Sequence, residues 1–155
     1  MSSKEDHIRD ILQEKTKGIN LQITVKRDRR IFINLLREDL KKVAEILAED
    51  LGTQHISTIT ARDTGNNFEI LYHFFIDHVM VTLRTTCPRN EPTVDSLVSI
   101  FPGAILYERE IHDILGIVPT KHPDLRRLVL PEDWSGGYPL RKDWKPEGGD
   151  TNGAR

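Results

Sequence analysis

Cysteine is almost missing: Cys87 is the only one in 155 residues. An intramolecular disulfide is excluded, and an iron–sulfur cluster, which needs about four thiolates, cannot be held by this chain alone. Long apolar runs are missing too, since none approaches the roughly 20 residues that a membrane-spanning helix requires. Neither sign of charge dominates: 22 Lys and Arg stand against 24 Asp and Glu, a formal net charge of −2. Nucleic acid is therefore not an expected partner. No G-x-G-x-x-G, P-loop, H-E-x-x-H, G-x-S-x-G or C-x-x-C occurs, so the common nucleotide, zinc, hydrolase and thiol motifs have no representative.

What is present suits one modest core: 37% of residues are hydrophobic and 30% charged, in a length that fits one domain plus a tail. The polar, acid-containing start MSSKEDHIRD reads as neither a signal nor a transit peptide. A soluble chain is expected, with any membrane association made through partners. Cys87 follows a strand pattern and precedes Pro88, the setting of a small half-buried residue.

Apolar periodicity divides the chain into elements. Ile8, Ile11 and Leu12 mark a short amphipathic helix over 4–17. Leu21, Ile23 and Val25, then Ile31, Ile33 and Leu35, alternate in two strands joined at Asp28 as a hairpin. Leu40, Val43, Ala44, Leu47 and Leu51 share one face of a helix over 38–51, which Gly52 ends. Three more strands follow: HISTITARD, FEILYHFFID after the turn Thr64–Asn67, and HVMVTLRTT after the tight connection Asp77-His78. Thr93 is placed to cap a short helix carrying Val94, Leu97 and Val98, and a second helix runs over 105–115 to Gly116. From Val118 onward Pro, Gly and charge exclude regular structure. The order predicts an α+β domain over 1–117, a mainly antiparallel sheet with helices on one face. An extended partner-wrapping tail (118–146) and a disordered end (147–155) complete the chain. Strand order is not readable.

The helix YEREIHDILG is unusually charged. Tyr107, Ile111, Ile114 and Leu115 face a core, while Arg109 with Asp113 and Glu108 with His112 stand at i, i+4. Exposed pairs of that kind contribute a few tenths of a kcal/mol each, too little to account for the charge density. An interfacial role would use it for specificity, while the alternative is an ordinary solvated face. The tail repeats Arg, Pro, acids and aromatics, the residue types of binding hot spots. Arg126, Arg127 and Trp134 are expected to anchor it on a partner, with nothing local to cover the indole, and the tail from about Pro119 is expected to order only on assembly.

Tyr107-Glu108-Arg109-Glu110 with Asp113 and Gly116-Ile117, then His122-Pro123-Asp124-Leu125-Arg126-Arg127, then Leu130-Pro131-Glu132-Asp133-Trp134, then Pro139-Leu140-Arg141-Lys142-Asp143, resembles the pattern of the 30 kDa subunit of complex I, the respiratory NADH dehydrogenase. The resemblance is in order and in spacing. It departs at Leu106, where respiratory members commonly have Trp, and at His112 and Leu115. It departs again at Ala61-Arg62-Asp63-Thr64-Gly65, which lacks the usual Asp-Tyr-Pro. These features resemble the branch in membrane-bound hydrogenases and ferredoxin-linked relatives.

The resemblance implies a structural subunit without its own cofactor, in the hydrophilic arm of an ion-pumping, membrane-bound oxidoreductase. The implied partners are a hydrogenase-like large subunit and iron–sulfur subunits, which carry the clusters, with nickel–iron as a further candidate group in them. The implied location is the cytoplasmic face of the membrane, held peripherally. The expected partner interface comprises Glu108, Arg109, Glu110, Asp113, His122, Asp124, Arg126, Arg127, Trp134, Arg141, Lys142 and Asp143. The equivalent subunit of an NADH:quinone oxidoreductase is the alternative. A small stand-alone enzyme using Glu110, His112 and Asp113 in a cleft and a generic adaptor are the other classes. The six histidines do not make a metal site by spacing; only Glu108 and His112 are ligand-like, and a site needs three or four ligands.

Overall fold

A computed structural model describes residues 3–146; the expectation for 147–155 lies outside the described residues. Helix α1 (Lys4–Lys15) starts at a capping box, in which Ser3 Oγ accepts the Asp6 N–H and the Asp6 carboxylate accepts the Ser3 N–H. This satisfies two of the helix's orphan amides. Strands β1 (Leu21–Arg27) and β2 (Arg30–Leu35) form the expected hairpin. A single 3-10 turn, Arg37–Asp39, leads into α2 (Leu40–Glu49), whose Leu40, Val43, Ala44 and Leu47 are buried. Strands β3 (Thr58–Asp63), β4 (Asn67–Ile76) and β5 (Val79–Pro88) follow as an antiparallel meander.

The sheet order is β1-β2-β5-β4-β3. Every neighbouring pair is antiparallel except β2 with β5, which run parallel because α2, β3 and β4 intervene as the crossover. Strict alternation aims Ile31 and Ile33, Val81 and Leu83, and Phe68, Ile70, Tyr72 and Phe74 to one face. There they join Ile8 and Leu12 of α1 and the apolar face of α2 in a single core. The expected α+β class, with a mainly antiparallel sheet and helices on one side, is the observed one.

Two local expectations are corrected. Residues 93–102 are not a helix: Thr93–Asp95 is a strand, β6, followed by turns. The β-branched pair Thr93-Val94 is paired in parallel with β7 (Val118–Thr120), and the next amides are claimed from outside the segment. Regular structure therefore also extends past Val118. Pro119 is tolerated because β7 has a neighbour on one side only, so its missing N–H faces a free edge. Helix α3 (Ala104–Leu115) packs against β3 and ends at Gly116 in the left-handed conformation.

Candidate partner interface

Helix α3 sorts its charges by face. Glu108 points inward and is 1% exposed. Its carboxylate accepts Ser96 Oγ–H at 2.6 Å and the Leu97 N–H at 2.7 Å, which is why the segment after β6 turns instead of coiling. Burial pushes the Glu108 carboxyl up to about 6, against the opposing pull of these two bonds. It forms no pair with His112, whose ring Nδ1 bonds to the Ile117 carbonyl at 3.0 Å. Glu108 is thus a core residue and not an interface residue, contrary to the sequence-based expectation.

Its raised value has a consequence for stability. A carboxyl that binds its proton more tightly folded than unfolded stabilises the fold when protonated. That contribution is complete below the ordinary value of 4.5 and is lost as pH rises through about 6. A shift of that size corresponds to about 2 kcal/mol. Wild type should therefore gain about that much relative to Glu108→Gln between pH 7.5 and 4.5 in urea unfolding. Parallel stability curves for the two proteins would contradict the burial.

Arg109 and Asp113, one turn apart, do not pair with each other. Arg109 donates from Nε to the Arg126 carbonyl at 2.9 Å and from Nη2 to the Arg127 carbonyl at 2.8 Å. Asp113 Oδ2 accepts the next three amides, Leu128 at 3.1 Å, Val129 at 2.9 Å and Leu130 at 2.8 Å. Arg127 Nη1 lies 3.5 Å from the other oxygen. Burial alone would raise the Asp113 carboxyl, but the three amides and the Arg127 guanidinium outweigh it and hold it below the ordinary value. The two side chains clasp an otherwise unpaired stretch of tail, one by its carbonyls and one by its N–H groups.

A second latch holds the tail's end. Arg141 donates from Nε to the Leu115 carbonyl at 2.7 Å, and its guanidinium lies 4.2 Å from the Tyr138 ring centre and 5.2 Å from that of Phe68. The Lys142 N–H reaches Asp63 at 3.0 Å, beside the Gly65 N–H and the Arg89 guanidinium. Arg89 also pairs with Asp143. Trp134 stacks on Trp144 with ring centres 6.2 Å apart, and its Nε1–H bonds to the Gly137 carbonyl at 2.8 Å. The expectation that nothing local covers the indole is therefore corrected: the tail covers it with its own second Trp.

The remaining interface expectations divide in the same way. His122 bridges the Ile105 carbonyl and the Asp124 N–H, and Asp124 holds Arg126 in a bidentate pair, Nε on Oδ1 and Nη2 on Oδ2. That pair draws the Asp124 carboxyl down to about 2, the side-chain bonds from Arg126 acting first. Glu110 and the Lys142 and Arg126 side chains are exposed. Sequence patterns did not single out the apolar outer row of the clasped tail, Leu128 and Val129 with Tyr138 and Leu140, all exposed. Their signal was present as aliphatics without a helical or strand period, beside a helix carboxylate able to gather amides. His112, Arg127, Trp134 and Tyr138 line a cleft between α3 and the tail.

Residues 33–150 match the family model described as respiratory-chain NADH dehydrogenase, 30 Kd subunit. The corresponding subunit of the F(420)H(2) dehydrogenase of Methanosarcina mazei is 36% identical over 75% of this chain and 76% of that protein. Its counterpart in the NADH-quinone oxidoreductase of Nocardioides sp. is 31% identical over 93% of this chain, but the match spans 62% of that longer protein. Among solved structures, a chain of the membrane-bound sulfane sulfur reductase, an archaeal respiratory membrane complex, superposes with a TM-score of 0.82 at 23% identity. The match covers 92% of this chain and 86% of that one. A trypsin-resistant fragment of Nqo5 superposes with a TM-score of 0.64 at 21% identity, over 76% and 98% of the two chains. At these identities the likeness is one of fold.

Proposed function

Because the chain belongs to the family of the 30 kDa subunit of respiratory-chain NADH dehydrogenase, we propose that it is a structural subunit of a complex I-like, membrane-bound oxidoreductase. In this reading it sits in the hydrophilic arm at the cytoplasmic face, packs on a hydrogenase-like large subunit and iron–sulfur subunits, and contributes no redox centre. The machine it serves couples electron transfer to ion pumping. In this reading the contact with the membrane runs through partners; among the described residues no helix is long and apolar enough to cross one. Cys87 is buried and its thiol is pushed up to about 11 by that burial, which disfavours the thiolate that cluster ligation requires.

The single observation that carries the proposal is the clasp. Arg109 and Asp113 satisfy the tail's backbone, and its apolar side chains are left facing out. A segment with its polar groups bonded inward and aliphatics outward is pre-organised for association, which lowers the ordering cost of binding. The same contacts weigh against the stand-alone enzyme. Asp113 is bonded to three amides, so it is not available as an acid–base partner for Glu110, and His112 commits its Nδ1 to the Ile117 carbonyl.

The hydrogenase-like, ferredoxin-linked branch is favoured by the departures at Leu106, His112 and Leu115 and by a relative that is named for a substrate other than NADH. The NADH:quinone alternative is supported by relatives carrying that name. The docking claim is tested on the outer row. Leu128→Asp with Val129→Asp should leave the melting temperature of the free chain within about 2 °C, since surface changes move stability little. Recovery of the chain with the assembled complex should fall at least tenfold. Undiminished recovery would refute the proposal.

A further inference from the structure

The sheet has a second face that no helix among the described residues covers. Alternation places Phe32 of β2, Met80 of β5 and Leu71 and Phe75 of β4 there, and Phe75 is 58% exposed. Across β2 to β3 the charged residues on this face are Arg30, Arg62, Arg84 and Glu69. Glu69, with its side chain 8% exposed, accepts from Arg62 at 2.5 Å and from Arg84 at 3.1 Å. The register also sets Arg27 of β1 opposite Arg30, so four guanidiniums stand on a face with one carboxylate. Burial and the Arg30 guanidinium hold His73 below its ordinary value, which favours the neutral ring.

We propose that this helix-free face is a second docking surface, for a partner protein whose contact patch is apolar at its centre and carries carboxylates placed to meet Arg30, Arg62 and Arg84. The inference rests on the reading of the chain as a subunit. The charge pattern selects the occupant. Guanidiniums oriented by a shared carboxylate keep N–H groups free for further bidentate acceptors, and such forks suit carboxylates. A lipid surface is disfavoured by magnitude. Basic side chains near an anionic leaflet contribute about 1 kcal/mol each, so a surplus of three positive charges, with one well-exposed ring, falls short of stable adsorption. A face with large apolar side chains inside a charged frame instead has the layout of a protein interface, apolar at the core and polar at the rim.

The experiment uses the tagged full-length chain, produced in its own organism and purified with its complex. Phe75→Asp and Arg30→Glu leave the Glu69 pairs intact, and Phe75→Ser is the second variant should the acid disturb the hairpin. Melting of the free chain controls for folding. Recovery with the complex is expected to fall at least tenfold for Phe75→Asp and Arg30→Glu. For wild type it should fall more steeply than for Arg30→Glu between 50 and 500 mM salt. Wild-type recovery of folded Phe75 variants overturns the inference; if the Leu128→Asp/Val129→Asp chain is still lost in the same assay, the subunit reading stands without it. An effect at Phe75 with none at Arg30 overturns the acidic partner. Binding of the purified chain to phosphatidylserine vesicles, abolished by both variants, would assign the face to lipid and overturn the protein partner.

Discussion

Asp113→Ala should release the tail from α3 and abolish assembly while leaving most of the fold standing. Three amides lose a charged acceptor at once, and each such bond contributes about 1.5–3 kcal/mol. The full sum does not appear as lost stability, because the tail can lift away and give its amides to water. The loss is capped at the free energy of docking the tail. A drop of about 1–3 kcal/mol in global unfolding is expected, together with at least a hundredfold loss of hydrogen-exchange protection at Leu128, Val129 and Leu130. Recovery with the complex should fall by a comparable factor. Asp113→Asn should lie between, since it keeps one acceptor but turns an NH2 toward donors. The pH dependence has a definite sign. The folded carboxyl titrates below its ordinary value of 3.8, so its contribution is present above 3.8 and fails as pH falls through the lower folded value. Protection of these amides that collapses already near pH 5 would contradict the clasp.

Gly116→Ala is the second large effect expected. The residue has φ +74°, and an added Cβ would stand 2.5 Å from Arg141 Nη2 and 2.6 Å from the Tyr138 ring. The left-handed backbone alone costs a side-chain-bearing residue about 1–2 kcal/mol. The crowding adds to it, because Arg141 is held between the Leu115 carbonyl and two aromatic rings and cannot swing away freely. A total of about 3 kcal/mol or more is expected in urea unfolding. Trp134 and Trp144, farther along the same segment, should shift toward the emission of solvated indole. Placing Gly116→Ala in an Arg141→Ala background should recover part of the loss, since the two changes share one contact and are not additive. A cost near 1 kcal/mol with unchanged emission would mean that the latch does not press on Gly116.

Both effects arise where local sequence patterns end. The strands β1 to β5 and the helices α1, α2 and α3 were legible because each carries its period within itself. Ile31, Ile33 and Leu35 alternate, and Leu40, Val43, Ala44 and Leu47 recur on one helical face. Gly116 was legible as a stop because a helix end and a left-handed residue coincide. The charged helix was singled out correctly, but its charges were all assigned outward. The spacing Ala104, Glu108, Ile111, Leu115 separates Glu108, which lies in the core, from Glu110, which faces solvent, but a carboxylate on an apolar face reads as outward until its buried partners are in place. The helix over 93–102 failed for the same reason: local propensity was overridden by the Glu108 carboxylate, which reaches Ser96 and Leu97 from a separate element.

The amino-acid sequence by itself determined which segments alternate, which coil and where the chain turns, and its motif order carried the family. Those properties depend on neighbours a few residues apart. The parallel placement of β2 beside β5, the inward turn of Glu108 and the capture of the tail depended on groups brought together by folding. Asp113 meets amides 15, 16 and 17 residues further along, and Lys142 meets Asp63 across 79 residues. A backbone N–H that finds no partner in its own turn or strand must find one elsewhere or in water. Which of the two it finds is decided only when the chain has closed on itself.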